Sequence, residues 1–580
     1  MWARLFYYFM PLRFFQKGLT LLLKKQTNIL SAALVLMTTV VLSQVLGLVR
    51  QRLLVGTFGA SDTLGVYLAS SKLPDFLFQI IIAGALSSAF IPVFAGLLSK
   101  GRNEDGNKMA STLLSLGFIF FGVLSLVLFI FAPFFLQFIN LGSGYSPEQM
   151  SLMANLMRII IFGQLIFLIA TFFTAVLQSY NHFFIPGIAA ALYNLGIIIG
   201  ILLLSDRIGI YAPAAGVIIG ATIFALFQVP LVRLVGFRFK PSLSLDTSGV
   251  REVIKLMWPR TLSLLVFQIG TVITVSLISF LPSSGRNYVI YDYAMTLVFA
   301  PIVLFGQSIA QAAFPVLSRE KDRLDIFRTT FLTSFNQTLY LVVPVSVLFL
   351  VLRIPVVRLI FGASQFDWGA TVLTGRTLAF LSLSIFASAL VYLISRAFYA
   401  LHDTKTPLII GAISTTFMLV LSFAFVSFWG NNLQNIHEIY SARFRLVPVG
   451  VESIALAYSI AAIFNFSALL FFLNRKIHIF NFKYFWFPQI KIFIAAIFMG
   501  FAIYIPIKLL DQLVFDTTKT INLFFLTGIA SLAGFIIYFF LTWLFNVKEA
   551  GTFLLLFRRI GGWKEIVGKS EKIIDAGVSQ

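Results

Sequence analysis

Cysteine, histidine and charged side chains are the residues that this sequence lacks or uses sparingly. None of the 580 residues is cysteine, which excludes disulfides, iron–sulfur clusters and thiolate zinc sites. Charged residues make up 11% of the chain, histidine occurs four times, and no carboxylates stand at a spacing suited to metal binding or acid–base catalysis. The sequence therefore does not indicate an enzyme, and we expect no cofactor and no metal ion.

The residue types that are abundant indicate a membrane protein. Hydrophobic residues account for 59% of the chain, and the mean hydropathy of +0.95 lies far outside the range of soluble domains. The excess of 43 Lys and Arg over 22 Asp and Glu gives a net charge of +21, but these basic residues stand mostly between apolar runs. That pattern reports membrane topology and does not indicate a nucleic-acid partner.

The apolar runs are long enough to form transmembrane helices. A helix needs about 20 apolar residues to cross a hydrocarbon layer of about 30 Å, and we divide the chain at polar turns, Gly and Pro. The resulting segments are 28–49, 64–98, 109–138, 152–178, 185–205, 209–234, 252–282, 287–317, 326–352, 369–400, 407–429, 448–473, 486–510 and 520–546. The predicted fold class is an all-α polytopic membrane protein with about 14 transmembrane helices.

The distribution of basic residues predicts the orientation of these helices. With the N-terminus inside, 29 Lys and Arg fall on the inward side of the membrane and 10 on the outward side. Because short cytoplasmic loops carry the excess of Lys and Arg, we expect both termini to be cytoplasmic. We interpret residues 1–27 as a basic amphipathic segment on the membrane surface and residues 547–580 as a basic cytoplasmic tail.

Two stretches that lie 221 residues apart repeat the same pattern. Residues 175–186 and 396–407 each follow an apolar run, form a short polar turn and enter the next apolar run through Pro186 or Pro407. Pro92 and Pro315, 223 residues apart, stand in a second pair of similar segments. An even number of predicted spans separates the copies, which indicates two parallel six-helix lobes. We predict an N-lobe at 28–240, a C-lobe at 241–476 and two appended spans within 477–546.

Several charged residues fall inside the predicted spans, where each costs about 2.5–3.5 kcal/mol on insertion scales unless it has a partner or a function. Lys72 and Asp75 are three residues apart and can pair on one helix face. Arg260 can extend its side chain to the membrane interface. The other such residues in or near spans include Arg376, Asp292 and Glu452.

A set of short motifs runs through predicted spans 1–12 in a fixed order. They are SQVLGLVR at 43–50, FGA at 58–60, KLP at 72–74, GALSSAFIPV at 84–93, NHFFIP at 181–186, PRT at 259–261, FPVLS at 314–318 and HDTKTP at 402–407. As an ordered set they resemble the MurJ (MviN) family of flippases. The resemblance implies the fold of the multidrug/oligosaccharidyl-lipid/polysaccharide exporter superfamily, with two six-helix lobes around a central cavity and two extra helices that form a groove for a lipid tail.

The resemblance also implies an activity and a set of site residues. The activity is movement of lipid II, the undecaprenyl-pyrophosphate-linked peptidoglycan precursor, across the bacterial inner membrane by alternating access. The cavity cations that the sequence keeps are Arg50, Lys72 and Arg260. Arginine suits a pyrophosphate because its donors are bidentate and permanently charged. The candidate gate or hinge residues are Asn181, Asp403, Lys405 and Pro407, although Asp403 and Lys405 equally fit a helix cap.

Other charged positions of the family's pattern hold uncharged residues here. They are Gln44, Gln51, Gly65, Phe78, Gln79, Ala83, Met295 and Thr296. A cavity with fewer charges binds pyrophosphate less strongly or accepts another headgroup. Two alternatives to a lipid II flippase therefore stay open: an exporter of another polyprenyl-linked glycan, and a non-transporting membrane scaffold with the same fold. The expected partners are lipid II or a similar polyprenyl-pyrophosphate glycan together with membrane lipids, and the sequence does not indicate an oligomeric state.

Overall fold

The computed structural model describes residues 29–85, 89–362, 365–436, 450–513 and 520–551, with side chains given except at 29–37, 81–85, 258–260, 262–267, 428–436, 483–484 and 510–513. Throughout these residues the secondary structure is helical and no strand occurs, which confirms the predicted all-α class. The predicted amphipathic segment at 1–27 and most of the predicted tail lie outside the described residues.

The described residues form 20 α-helices. They are α1 (Ile29–Phe58), α2 (Asp62–Ser70), α3 (Lys72–Ala85), α4 (Ile91–Ser99), α5 (Asn103–Ile130), α6 (Ala132–Gln137), α7 (Pro147–Ser179), α8 (Phe184–Ile208), α9 (Tyr211–Leu234), α10 (Val250–Ile278), α11 (Ser284–Pro301), α12 (Ser308–Arg319), α13 (Leu324–Val351), α14 (Arg353–Phe361), α15 (Trp368–Ser382), α16 (Ile385–Ala400), α17 (Lys405–Ile436), α18 (Val451–Ile477), α19 (Phe487–Leu513) and α20 (Thr520–Leu544). Two π-helical segments, Ile302–Gln307 and Phe482–Trp486, precede α12 and α19.

Within the described residues, 11 helices are long and apolar enough to cross a membrane, or 12 if α15 and α16, bent by 43°, form one span. Each of these overlaps one predicted span. The two predicted spans without a counterpart among these helices are 64–98 and 252–282. The first contains α2, α3, α4 and residues 86–88, which lie outside the described residues, and the second coincides with α10, in which the side chains at 258–260 and 262–267 are not described. The described residues therefore do not confirm the predicted number of 14.

Local sequence explains where individual helices begin and how closely they pack. Ser146 accepts a hydrogen bond from the Gln149 N–H, and the Gln149 side chain accepts one from the Ser146 N–H, so a reciprocal capping box starts α7. Farther along, α8 and α9 approach so closely that a Cβ on Gly196 would lie 2.3 Å from the Cα of Gly220. Small residues at this crossing let two membrane helices pack backbone to backbone.

The chain forms two compact units. The first contains Met1–Tyr293, Ile360–Thr371 and Leu419–Val451, and the second contains Ala294–Leu359, Val372–Met418 and Glu452–Gln580. An aromatic-rich core of buried residues, including Phe78, Phe94 and Phe121, fills part of the first unit. In the second unit the buried Tyr538 hydroxyl donates to the Tyr340 carbonyl at 2.8 Å. The predicted lobe boundaries remain a prediction.

The repeated turns of the sequence have the same backbone conformation. Asn181 and His402, 221 residues apart, adopt positive φ angles of 63° and 59°. In the first turn the His182 N–H donates to the Leu177 carbonyl, and in the second the Asp403 N–H donates to the Phe398 carbonyl, both at 2.9 Å. Each helix thus ends in a left-handed cap with the equivalent closing bond. The sequence repeat at these turns is accompanied by a structural repeat.

Candidate functional site

A cavity of about 350 Å³ lies within the first unit. Four helices line it: α3, α7, α8 and α10. The lining residues are Lys72, Asp75, Phe78, Gln79, Gln164, Phe167, Tyr193, Gln268, Thr271 and Val272. The cavity is therefore amphipathic, with two charged and several neutral polar side chains beside aromatic rings.

Lys72, one of the predicted cavity cations, is engaged by an acid. Its Nζ lies 3.2 Å from Asp292 Oδ1 on α11, and both side chains are about one-fifth exposed. The Nζ also lies 5.7 Å from the centre of the Tyr288 ring. The structure thus pairs Lys72 across helices with Asp292 rather than along its own helix with Asp75. The two partners are 220 residues apart in sequence, so residue spacing cannot identify them.

Asp75 has a different partner. The Gln164 Nε2 on α7 donates to Asp75 Oδ1 at 2.7 Å. Gln164 is 7% exposed, and its Oε1 is buried and accepts no hydrogen bond. Because buried polar atoms are almost always bonded, this acceptor is an exception that requires an explanation.

Arg50 on α1 is the second predicted cation that the structure describes. It is half-buried, its Nε is buried and donates to no acceptor, and it takes part in none of the ion pairs between described side chains. α1 packs against α8, the helix that carries the cavity residue Tyr193. Arg50 is thus placed beside the cavity with an unused donor.

Arg260 and Arg52 are the other cations to consider near the cavity. The side chain of Arg260 lies outside the described residues. Arg52, two residues after Arg50, donates to the carbonyls of Ile360 and Gly362 at 3.2 and 2.9 Å, and so caps the end of α14. The described charges at the cavity are therefore Arg50 and Lys72 against Asp75 and Asp292, a balanced set.

Two positions where the family pattern carries a charge are accounted for by packing. Phe78 is buried, and its ring packs 5.1 Å from the ring of Phe167 and 6.2 Å from that of Phe121. A Cβ on Gly65 would lie 2.0 Å from the Gly285 carbonyl oxygen, so no side chain fits there. Both positions thus lie in closely packed parts of the interior.

In the second unit, two charged residues noted in the sequence pair with each other. Arg376 Nη1 lies 3.9 Å from Glu452 Oε1, and the Glu452 side chain is 4% exposed. The structure thus provides an ion partner for a span arginine that the sequence leaves unexplained.

The candidate gate residues lie at the two repeated turns. Asp403 accepts bonds from the Thr406 N–H and hydroxyl at 3.0 and 2.7 Å and from Lys476 Nζ at 2.6 Å. Burial opposes ionisation of Asp403, but the bonds from Lys476 and Thr406 outweigh it and lower the pKa of the carboxyl from 3.8 to about 2. Asp403 therefore caps α17, which begins at Lys405. Asn181 and Lys405 are exposed, and Pro407 is buried in the first turn of α17.

The polar cavity residues Gln164, Gln268 and Thr271 were not selected from the sequence. Each stands inside an apolar run, which is the signal that pointed to Lys72 and Asp75. Neutral amides and hydroxyls are more easily accommodated in membrane helices than charges. They become candidate site residues because the structure places all three in the lining of one cavity.

A family model described as "Lipid II flippase MurJ" matches residues 54–525 of the chain. A probable lipid II flippase MurJ of Thermotoga maritima is 28% identical over 386 residues, covering 66% of this chain and 77% of the relative. One from Haemophilus influenzae is 27% identical over 503 residues, covering 81% of this chain and 91% of the relative.

Solved structures show the same fold. A structure of a lipid II flippase MurJ in an inward closed conformation has a TM-score of 0.70 at 24% identity, covering 88% of this chain and 98% of that chain. An inward-facing multidrug resistance transporter of the MATE family and MOP superfamily has a TM-score of 0.61 at 13% identity, covering 75% and 94%. With the family model extending from α1 into α20, this chain belongs to the MurJ family of lipid II flippases, as the sequence motifs indicate.

Proposed function

We propose that this protein translocates lipid II across the bacterial cytoplasmic membrane by alternating access. The observation that carries the proposal is the family match over residues 54–525, which includes every helix of the described cavity. In this proposal both termini are cytoplasmic, and the repeated turns that hold Asn181 and Asp403 lie on the cytoplasmic side. There Asn181, Asp403, Lys405 and Pro407 form gate or hinge contacts as the cavity changes its accessible side.

The cavity's cations supply the contacts to the pyrophosphate. A pyrophosphate cannot enter hydrocarbon without compensation of its charge, and Arg presents a rigid fork of donors to phosphate oxygens. Arg50 has a buried Nε that is free to donate. Lys72 exchanges Asp292 for the phosphate when substrate enters. Arg260 is the third cation of the proposed site.

The charge balance supports a second candidate substrate. Asp75 and Asp292 offset the charges of Arg50 and Lys72, so the described cavity attracts a diphosphate less strongly than a purely cationic one. The second candidate is a polyprenyl-linked glycan other than lipid II, whose binding depends more on contacts to its sugars than on contacts to its phosphates. The competing scaffold hypothesis predicts no transport at all.

A complementation experiment tests the function. The chain is expressed in a bacterial strain depleted of its own lipid II flippase, and membrane insertion is verified by immunoblot of the membrane fraction. We expect the unmodified chain to restore growth and Arg50→Ala and Lys72→Ala to abolish the rescue. Correct insertion without rescue contradicts lipid II transport.

The control is an arginine of the same unit that is not at the cavity. Arg158 on α7 donates to the Phe129 carbonyl at 3.2 Å and to Asn155 at 3.1 Å. Arg158→Ala should retain rescue. Full rescue by both cavity variants would show that Arg50 and Lys72 are not part of the substrate site. It would not contradict the transport function.

A further inference from the structure

Gln164 holds an unused hydrogen-bond acceptor at the wall of the cavity. The Gln164 Nε2 donates a hydrogen bond to Asp75 Oδ1 at 2.7 Å, so the amide nitrogen faces Asp75. This fixes the other end of the amide: Oε1 points away from Asp75. It is buried and receives no donor.

The same unit contains a glutamine that shows how a structural amide is satisfied. Gln228 on α9 is fully buried, and its Nε2 donates to the carbonyls of Ala170 and Phe224 at 3.0 and 3.1 Å. Its Oε1 accepts from the Thr174 hydroxyl at 3.0 Å. Gln228 therefore uses both ends of its amide within the fold, whereas Gln164 uses one end and leaves the other for a partner that the protein does not provide.

The surroundings of Gln164 favour a neutral donor over an anion as that partner. Gln79, Gln268 and Thr271 share the cavity wall with Asp75, and the cation of this wall, Lys72, is paired with Asp292. A phosphate oxygen has no proton to donate to a glutamine carbonyl or a carboxylate. Sugar hydroxyls and amide N–H groups do, and a volume of about 350 Å³ lies within the range of ligand pockets.

We propose that Gln164 and Asp75 form an acceptor subsite that binds hydroxyl and amide N–H donors of the substrate's glycan–peptide headgroup. The inference rests on the proposed function, because it names which part of a polyprenyl-pyrophosphate glycan this wall recognises. The subsite makes the cavity select a glycosylated lipid over the bare polyprenyl pyrophosphate. Arg50 and Lys72 contact the pyrophosphate that both lipids share, so they do not provide this selection.

Binding of two lipids to the purified full-length protein in detergent micelles tests the subsite. The probes are lipid II and undecaprenyl pyrophosphate, which share the tail and the pyrophosphate but differ in the sugars and peptide. We expect the unmodified protein to bind lipid II more tightly. Gln164→Met keeps the side-chain volume and removes the acceptor together with the amide N–H that donates to Asp75. It should weaken lipid II binding about five- to tenfold, the equivalent of one hydrogen bond. Undecaprenyl pyrophosphate should bind within about twofold of the unmodified protein.

Gln228→Met is the matched control, because it removes a buried amide from the same unit away from the cavity. It should leave the ratio of the two affinities unchanged even if it lowers thermal stability. An unchanged ratio in Gln164→Met, or an equal loss for both lipids, overturns the subsite. Equal binding of both lipids by the unmodified protein overturns the subsite but leaves transport standing. Absence of lipid II binding by the unmodified protein overturns the proposed function together with the subsite.

Discussion

At the scale of single residues, the role of Lys72 is set by its acid partner. Asp292 holds the Lys72 ammonium at 3.2 Å in a partly exposed position. The ion pair occupies the cation that a phosphate needs. Asp292 is therefore a competitor of the proposed substrate for Lys72.

Asp292→Asn should strengthen binding of undecaprenyl pyrophosphate up to about fivefold, because it removes the competing carboxylate while the amide keeps its shape. Lys72→Met should weaken the same binding. The measurement is lipid affinity of the purified protein in detergent. Asp367→Asn is the control, since Asp367 pairs with Arg286 in the same unit without lining the cavity. Weaker binding in Asp292→Asn would contradict competition for Lys72.

At the scale of helices, α2 is held in place by a contact that tolerates no side chain. Gly65 lies so close to Gly285 on α11 that an added Cβ would be 2.0 Å from its carbonyl oxygen. The Arg286 N–H donates to the Asp62 side chain at 2.8 Å, which joins the same two helices by a hydrogen bond. Any side chain at this position, charged or neutral, is thus sterically excluded.

Gly65→Ala should lower folding stability by about 3 kcal/mol or more, at the upper end of the cost of overpacking. Thermal unfolding in detergent measures this loss. Gly117→Ala in α5 is the matched control, because nothing lies within 4 Å of the Cβ that it adds. Similar stability of both variants would show that α2 and α11 can separate at little cost.

The second repeated turn depends on a carboxylate whose pKa is lowered to about 2. Stability from a lowered carboxyl pKa is complete above the ordinary value of 3.8 and is lost as the pH falls from there toward about 2. Asp403→Asn should cost up to about 1 kcal/mol at neutral pH, because Asn can still cap the helix but loses the ionic bond to Lys476. The difference in the free energy of unfolding between Asp403→Asn and the unmodified protein should decrease as the pH falls from 4 to about 2.

Thermal unfolding at several pH values measures this difference. Asp246→Asn serves as the control, because Asp246 forms a largely exposed pair with Arg251 and closes no helix. It should have little effect at any pH. If Asp403→Asn lowers the stability by the same amount at every pH down to 2, ionisation of Asp403 does not stabilise the turn.

At the scale of the whole molecule, the orientation of the spans determines which side of the protein faces the cytoplasm. Charge counting predicts that Lys405 faces the cytoplasm and Arg207 the periplasm, and both side chains are exposed. The natural absence of cysteine makes single cysteines specific labels without further changes.

In intact cells a membrane-impermeant maleimide should label Arg207→Cys at once. Lys405→Cys should be labelled only after the cytoplasmic membrane is permeabilised. The readout is the gel shift of the labelled protein, with the unmodified chain as a blank. The opposite pattern would reverse the predicted orientation and place both termini outside.

Local sequence patterns were sufficient to predict the helical membrane architecture, the internal repeat and the family. Hydropathy is a local property, because a fixed bilayer thickness requires each helix to carry its own apolar length, and 12 predicted spans have counterparts in the described residues. The repeated turns follow from local backbone rules at Asn181 and His402. Arg50 and Lys72 could be recognised in the same way, because a charge in or at the end of an apolar run stands out in the sequence.

The partners of those charges became known from the packing of the helices and could not be predicted from the sequence. Asp292 meets Lys72 across 220 residues, Gln164 meets Asp75 across 89, and Gly65 meets Gly285 because two helices touch. Such contacts depend on distances of a few ångströms between elements far apart in the chain, and no period or spacing within one helix encodes them. The unused acceptor of Gln164 belongs to this class, since an unpaired atom is recognised only when all its neighbours are known.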